Sequence, residues 1–372
     1  MKVLVASDLH LSDRIWKHRP IEGDSYHAWS QICNLAITRE VQLVILAGDL
    51  LDRQTNLSRP VKELVSGLRK LHEHGIDVFY VQGQHEYQAV PWLSLSYSAR
   101  WLNQEVMQLT DEWAVLGCDF LHTESLQEFL QGELPKQAEI LVMHQVWSDF
   151  MGSVGKPQGS FADIPSNIRL LITGDYHEAI IRRFGELTVL SPGSTHLREI
   201  SEIENKSVFE VELRDGREPR IESLPLTTRR RVDIKISSGQ SPETAYVRIQ
   251  EQLDAAKEYF QSLSKEFVDP IRKPLLRLTY DREDHATIMQ IKKELGETVH
   301  LFLKPVRYYT PEELEPQLTE HLDVEDRSNL INCLDAEVDA QEKPLVHGLA
   351  RKLLEAPDKE QALRRWVEEQ LS

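Results

Sequence analysis

The sequence predicts a layered α/β domain, followed by a small α+β unit and a C-terminal helical segment. Three observations lead there. Short, almost continuously apolar runs recur up to Gly174, bounded by Gly, Asp and His, the pattern of strands buried on both faces. Stretches of helical periodicity separate the early runs. Beyond Thr227–Arg231 a second alternation of strands and helices begins.

In chain order, Lys2–Ser7 and Leu43–Ala47 are the first strand runs. Between them a helix over 27–39 carries Trp29, Ile32, Cys33 and Ala36 on one side. Pro60–His74 places Val61, Leu64, Val65, Leu68 and Leu71 at helical spacing, closed by Gly75. Asp77–Val81, Ile140–Met143 and Leu170–Thr173 are further apolar runs. After Gly174 the pattern is strands alone: Ala179–Phe184, Leu187–Leu190, Ser207–Arg214 and Arg220–Leu226, with Asp215-Gly216 as a hairpin signal between the last two. Thr227–Arg231 reads as a joint. A strand (Val232–Ile236), a helix from Ser241-Pro242 to Leu263, a strand (Leu275–Tyr280), a helix (Asp284–Leu295) and a strand (Val299–Leu303) form a βαβαβ unit. Two short helices close the chain, over Glu342–Glu355 and from Pro357-Asp358 onward. The expected domains are 1–228, 229–310 and 311–372.

Composition narrows the class. With 372 residues, 41% hydrophobic and 28% charged, the chain can bury a full core and suits two or three globular domains. No stretch approaches the roughly 18 apolar residues of a membrane span, and Met1–Ser7 lacks the basic start and cleavage site of a secretory signal. Three widely spaced cysteines, Cys33, Cys118 and Cys333, argue against a disulfide framework. A reducing, intracellular (cytoplasmic) location is expected. The net charge of −17 argues against a free-standing protein that coats nucleic acid with Lys and Arg. It leaves room for a nuclease whose bound cations and partner supply the positive field. Residues 311–372 hold 16 acidic and 7 basic side chains, and their helices either pack back on the core or dock on a partner.

Five segments carry the chemistry, and four of them stand where a strand run ends: Asp8-Leu9-His10, Gly48-Asp49-Leu50-Leu51-Asp52, Gly83-Gln84-His85-Glu86, Met143-His144-Gln145 and Gly174-Asp175-Tyr176-His177. Open α/β sheets bind ligands beyond the carboxyl ends of their strands. The loops would therefore gather Asp8, His10, Asp49, Gln84, His144, Asp175 and His177. Carboxylate, imidazole and amide together suit Mn, Fe, Zn or Mg rather than a thiolate site. A lone Gly-Asp is more often a turn than a ligand, and a lone buried His is usually a core residue. Five strand-then-ligand segments in one order carry more weight than any one of them. The glycines before Asp49, Gln84 and Asp175 are expected to let the backbone turn sharply.

The series Asp-x-His, Gly-Asp-x-x-Asp, Gly-x-His-Glu, His and Gly-x-x-His resembles the calcineurin-like metallophosphoesterase superfamily. The phrase Ser-Asp-Leu-His-Leu-Ser-Asp around Asp8, Met-His-Gln at 143–145 and Ser-Pro-Gly-Ser at 191–194 narrow the resemblance. They are similar to the double-strand-break nuclease subunit called SbcD in bacteria, with archaeal, eukaryotic and phage relatives. The resemblance implies a layered metallophosphoesterase sandwich, a capping domain over 229–305 and an ATPase-docking segment at the C-terminus. It implies two divalent metals per chain, Mn with Mg as the alternative. Asp8, His10 and His177 would hold one and Gln84, His144 and Asp175 the other, with Asp49 bridging. His85 would act beside the phosphate and leaving oxygen. Asp52 or Glu86 would fix a histidine tautomer or simply be a solvated loop acid.

Two positions depart from the family pattern. Gln84 stands where Asn is usual, and Asp175 where the first His of Gly-His-x-His is usual. Both fall in one metal position, and a carboxylate there moves preference toward hard metals. The resemblance further implies double-stranded DNA ends as substrate, with exonuclease or endonuclease action, an SMC-like coiled-coil ATPase as partner, and a homodimer of nuclease subunits. Trp16, Trp29 and Trp92 are candidates for that dimer surface or for the core. Arg229, Arg230, Arg231, Lys235, Arg272 and Lys273 form a candidate patch for the DNA backbone, or a basic joint that pairs with the acidic tail. The alternatives are a phosphoesterase for a small substrate and a DNA-end scaffold with a degenerate metal site.

Overall fold

The computed structural model describes residues 1–13, 21–53, 58–89, 91, 93, 98–151, 157–237, 239–261, 271–281 and 284–305. Met1–Val146 and Ala162–Val306 form one compact unit, and Trp147–Phe161 belongs to a second. The C-terminal helices expected over 342–372, and the docking role given to them, lie outside the described residues, as do Trp16 and Trp92.

The elements are β1 (Lys2–Ala6), α1 (Asp24–Thr38), β2 (Leu43–Ala47), α2 (Ser58–Glu73), β3 (Asp77–Val81), β4 (Arg100–Trp101) and β5 (Val106–Gln108). Next come β6 (Ala114–Cys118), α3 (Thr123–Gln131), β7 (Ile140–His144), α4 (Ser148–Met151), β8 (Leu170–Gly174), β9 (Ile180–Phe184) and β10 (Leu187–Ser191). Then follow β11 (Ser207–Glu212), β12 (Arg220–Pro225), β13 (Arg231–Lys235), α5 (Pro242–Gln261), β14 (Leu275–Tyr280), α6 (His285–Leu295) and β15 (His300–Pro305).

Two six-stranded mixed sheets make the sandwich, in the orders β12-β11-β1-β2-β3-β4 and β5-β6-β7-β8-β10-β9. Alternation along β1 shows why its apolar run is continuous. Val3 and Val5 enter the cluster shared with Ile140, Val142, Leu170 and Ile172 of the other sheet. Leu4 and Ala6 point to the opposite face, where they pack with Ile32, Leu64 and Leu68 of α1 and α2. With both faces covered, every position pays to be apolar. The strand β6, which the sequence reading passed over, is equally buried. Trp29 is core: it is 3% exposed and its indole donates to the Glu63 carbonyl on α2 at 3.2 Å. It offers nothing to a dimer surface.

The expected βαβαβ unit is present. Strands β13, β14 and β15 form a parallel sheet, and Val232, Ile234, Leu276, Ile249 and Ile288 build its core with α5 and α6. Ser241 Oγ accepts the Thr244 amide at 3.3 Å, the predicted helix cap.

Candidate metal centre

β1, β2 and β3 run parallel side by side, as do β7 and β8, so the predicted loops leave the carboxyl ends of adjacent strands. Backbone amides join them. Asp8 N–H donates to the Gly48 carbonyl at 3.0 Å and His10 N–H to the Asp49 carbonyl at 2.8 Å. Asp8, His10, Asp49 and Asp175 all hold left-handed backbones, with φ of 51°, 38°, 51° and 71°. Such a conformation costs an L-residue on the order of 1–2 kcal/mol and persists where the surroundings over-determine it.

The glycines therefore serve differently from the expectation. Turning falls largely to the ligand residues themselves. The glycines leave room for side chains: a Cβ on Gly83 would lie 2.0 Å from Asp49 Oδ1, and one on Gly174 2.3 Å from both the Ala47 carbonyl and His144 Nδ1. Gly48 combines both demands, with φ of 85° and His144 Nδ1 2.4 Å from its notional Cβ.

Three histidines of the site have one ring nitrogen tied to a fixed oxygen. His144 Nδ1 meets the Ala47 carbonyl at 2.7 Å, His85 Nδ1 the Asp52 carbonyl at 2.9 Å, and His177 Nδ1 the Glu202 carboxylate at 3.2 Å. A proton held at Nδ1 leaves the Nε2 lone pair for a ligand. His144 Nε2 is buried without a hydrogen-bond partner. Around it stand Asp49 Oδ2 at 3.3 Å, Asp8 Oδ1 at 3.9 Å and Asp175 Oδ1 at 3.9 Å. Acceptors facing each other so closely require positive charge between them, a proton or a metal. Gln84 Oε1 is likewise buried and unpartnered, while Gln84 Nε2 donates to Asp175 Oδ1 at 2.7 Å. These orphaned acceptors fit divalent cations.

Ligand atoms within 4.8 Å of one another fall into Asp8–His10–His177, Asp8–Asp49–His144 and His10–Asp52–His85 groups. The first two are His/Asp clusters of the kind a dimetal site needs. Asp49 reaches both sides: its Oδ2 lies 3.4 Å from His10 Nε2 and 3.3 Å from His144 Nε2. Asp8 is shared as well, which the ligand scheme did not anticipate. Electrostatics agree with an anionic pocket. Burial opposes charging of His144, but Asp49, Asp8 and Asp175 together hold its pKa well above the imidazole norm. Burial holds His10 well below that norm, against the Asp49 charge. Burial also raises the Asp175 carboxyl, reinforced by Asp8 and Asp49.

Neither acid expected to set a histidine tautomer hydrogen-bonds a histidine with its carboxylate, although Asp52 Oδ1 stands 3.6 Å from His10 Nδ1. Asp52 uses its backbone carbonyl on His85, and its carboxylate accepts Arg198 Nη2 at 2.9 Å. The Glu86 carboxylate accepts the Gly83 amide at 3.0 Å and the Leu51 amide at 3.3 Å, holding two ligand loops together. Burial, then Asp49, pushes its pKa up to about 8. The true partner of His177 is Glu202, held at about 2 because His177 and Lys206 outweigh its burial. Lys206 Nζ donates to Glu202 Oε2 at 2.8 Å and to Ser194 Oγ at 2.7 Å. Glu202, Lys206 and Arg198 were missed in sequence because they follow the Ser-Pro-Gly-Ser phrase in a stretch without periodicity.

The basic patch needs correction. Arg229 is 2% exposed, pairs with both Asp24 oxygens at 2.8 Å, and donates to the Lys273 and Glu22 carbonyls. It joins the sandwich to the βαβαβ unit instead of facing a phosphate. Arg231 donates to Asp233 and to the Ile200 and Glu202 carbonyls. Arg230 stacks 3.7 Å over the Tyr259 ring. Of the six candidates, Lys235 and Arg272 are exposed on the surface and Lys273 is half-buried.

Residues 1–179 match the calcineurin-like phosphoesterase family. The fold is that of the calcineurin-like metallophosphoesterase superfamily, and two of the three His/Asp clusters among the described residues suit a dimetal centre. The chain is also homologous, at low identity, to Mre11-type DNA double-strand break repair proteins. It is 24% identical over 274 residues to the "DNA double-strand break repair protein Mre11" of Methanosarcina mazei, an alignment covering 69% of this chain and 44% of that protein. With the protein of the same name from Sulfolobus acidocaldarius it shares 25% over 301 residues, 74% of this chain and 78% of the relative. The match thus spans less than half of the Methanosarcina protein. Among solved structures, a dimetal phosphatase from Danio rerio is similar with a TM-score of 0.43 and 11% identity, over 60% of this chain and 96% of that one.

Proposed function

We propose that this chain is a metal-dependent DNA nuclease that processes double-strand ends as the nuclease subunit of a complex with an SMC-like ATPase. The observation that carries the phosphoesterase part is the buried, unpartnered His144 Nε2 among three carboxylates. Asp8, His10 and His177 would hold one cation and Gln84, His144 and Asp175 the other, with Asp49 serving both. Bound there, Mn or Mg would supply Lewis-acid charge and a water of lowered pKa. His85 is 35% exposed on its side chain, with Nε2 3.8 Å from Asp49 Oδ2. Donating a proton from Nε2 to a leaving oxygen requires its imidazolium form, with Nδ1–H kept on the Asp52 carbonyl.

The DNA part rests on the names and coverage of the relatives and on the presence of the βαβαβ unit. Lys235 and Arg272 are the backbone contacts we retain from the candidate patch. The ATPase partner and a dimer of nuclease subunits rest on the family resemblance. Among the described residues no helix is long and apolar enough to cross a membrane. One observation favours a second reading, a phosphoesterase for a small substrate: Arg229 and Arg231 are spent inside the protein. Incubation with Mn and either linear duplex DNA or a small phosphodiester separates the two. Release of nucleotides from duplex ends is expected. Hydrolysis of the small ester alone would overturn the nuclease assignment.

A further inference from the structure

Arg198 stands among the residues of the first metal position, a place no sequence motif pointed to. Its Nη1 lies 2.9 Å from His10 Nε2 and 3.4 Å from His177 Nε2. Its Nη2 donates to Asp52 Oδ1 at 2.9 Å, and its backbone amide donates to Glu202 Oε2 at 3.3 Å. The Glu202 carboxylate that orients His177 therefore also anchors the arginine.

A guanidinium only donates, and it keeps its charge at any pH a protein survives. Facing it, the Nε2 atoms of His10 and His177 must present lone pairs. Both nitrogens lie 3.7 Å from Asp8 Oδ1, within the Asp8–His10–His177 group. One sp² lone pair serves one partner, so the Nη1 hydrogens and a divalent cation cannot share these nitrogens. We propose that Arg198 is a built-in occupant of the first cation position, competing with the divalent metal for His10 and His177 and yielding to it on loading. The proposal rests on the metal-centre reading above and adds to it a reason for weak, exchangeable binding at one of two positions. Asp52 gives the guanidinium somewhere to remain: Nη2 can keep that ion pair while Nη1 withdraws.

The test is calorimetric titration of the EDTA-stripped full chain with Mn²⁺, comparing wild type, Arg198→Ala and Arg198→Gln, the last keeping most of the side-chain length without the charge. Removing the competitor should tighten the Asp8–His10–His177 position about tenfold or more, as expected when a charge-assisted hydrogen bond no longer has to be broken. Thermal melting should show the opposite sign without metal, each variant melting below wild type in EDTA and regaining the difference at saturating Mn²⁺. If both variants fold and bind Mn²⁺ no more tightly than wild type, the competition is refuted and Arg198 is a fixed wall of the site. Absence of Mn²⁺ binding from all three proteins would overturn the metal-centre reading along with it.

Discussion

Gln84 donates its amide N–H to Asp175 Oδ1 across 2.7 Å, linking the loop after β3 in one sheet to the end of β8 in the other. These are the two positions at which the resemblance implies a departure from the family pattern, and they are bonded to each other. The bond also sets the amide: with Nε2 spent on Asp175, Gln84 Oε1 is the atom left buried and unpartnered. The longer side chain and the carboxylate thus form one unit. Gln84→Asn and Asp175→His should each weaken Mn²⁺ binding, and the double variant should recover much of it, with a coupling of about 0.5–3 kcal/mol. Calorimetric titration of the four proteins checks this. Additive losses would mean that the two departures are independent.

Gly83 and Gly75 separate space from backbone strain. The Cβ of Gly83→Ala would meet Asp49 Oδ1 at 2.0 Å, whereas that of Gly75→Ala meets nothing within 4 Å. Gly75→Ala carries only the cost of its φ of 70°, on the order of 1–2 kcal/mol. It should lower the melting temperature and leave metal content unchanged. Gly83→Ala should lose metal, read by elemental analysis after dialysis.

Arg229 and Asp24 are 2% and 4% exposed and 2.8 Å apart. Arg229→Ala leaves a buried carboxylate without its partner, a loss of about 3–5 kcal/mol, measurable by urea denaturation. Lys235→Ala should do the reverse, leaving stability unchanged and weakening duplex DNA binding in a salt-dependent way.

Acid should destabilise the fold through His27. Burial, then the Arg229 charge, lowers its pKa to about 4, below the roughly 6.5 of an unfolded chain. The native state therefore disfavours the proton, and the unfolded state takes it up first. The His27 contribution is flat above pH 6.5, falls between about 6.5 and 4, and levels off below, a total of order 3 kcal/mol. His27→Gln should flatten that slope in denaturation curves taken across the window.

Where strands are buried on both faces, the sequence was easy to read. β1, β2, β3, β7 and β8 carry no polar alternation to hide their limits, and ligand residues follow them directly. β4 is only Arg100–Trp101, and β6 is interrupted by Gly117, whose Cβ would lie 2.3 Å from Leu102. Neither shows a period. Of the helices, α3 buries only Leu126 and Leu130, too few for a visible stripe. Arg198, Glu202 and Lys206 sit in an acidic loop and act through tertiary contacts alone. The basic run at 229–231 illustrates the limit of composition. A guanidinium goes inside when oxygen acceptors meet its donors, and no local pattern announces Asp24, more than two hundred residues away.

Counting metals tests the account most directly. The full chain, stripped with EDTA and dialysed to equilibrium against Mn²⁺, should hold two Mn per chain in excess of the dialysate by elemental analysis, and Asp175→Ala should hold about one. No bound Mn in the wild-type protein, even at millimolar Mn²⁺, would contradict a two-metal phosphoesterase and leave a scaffold with a degenerate site.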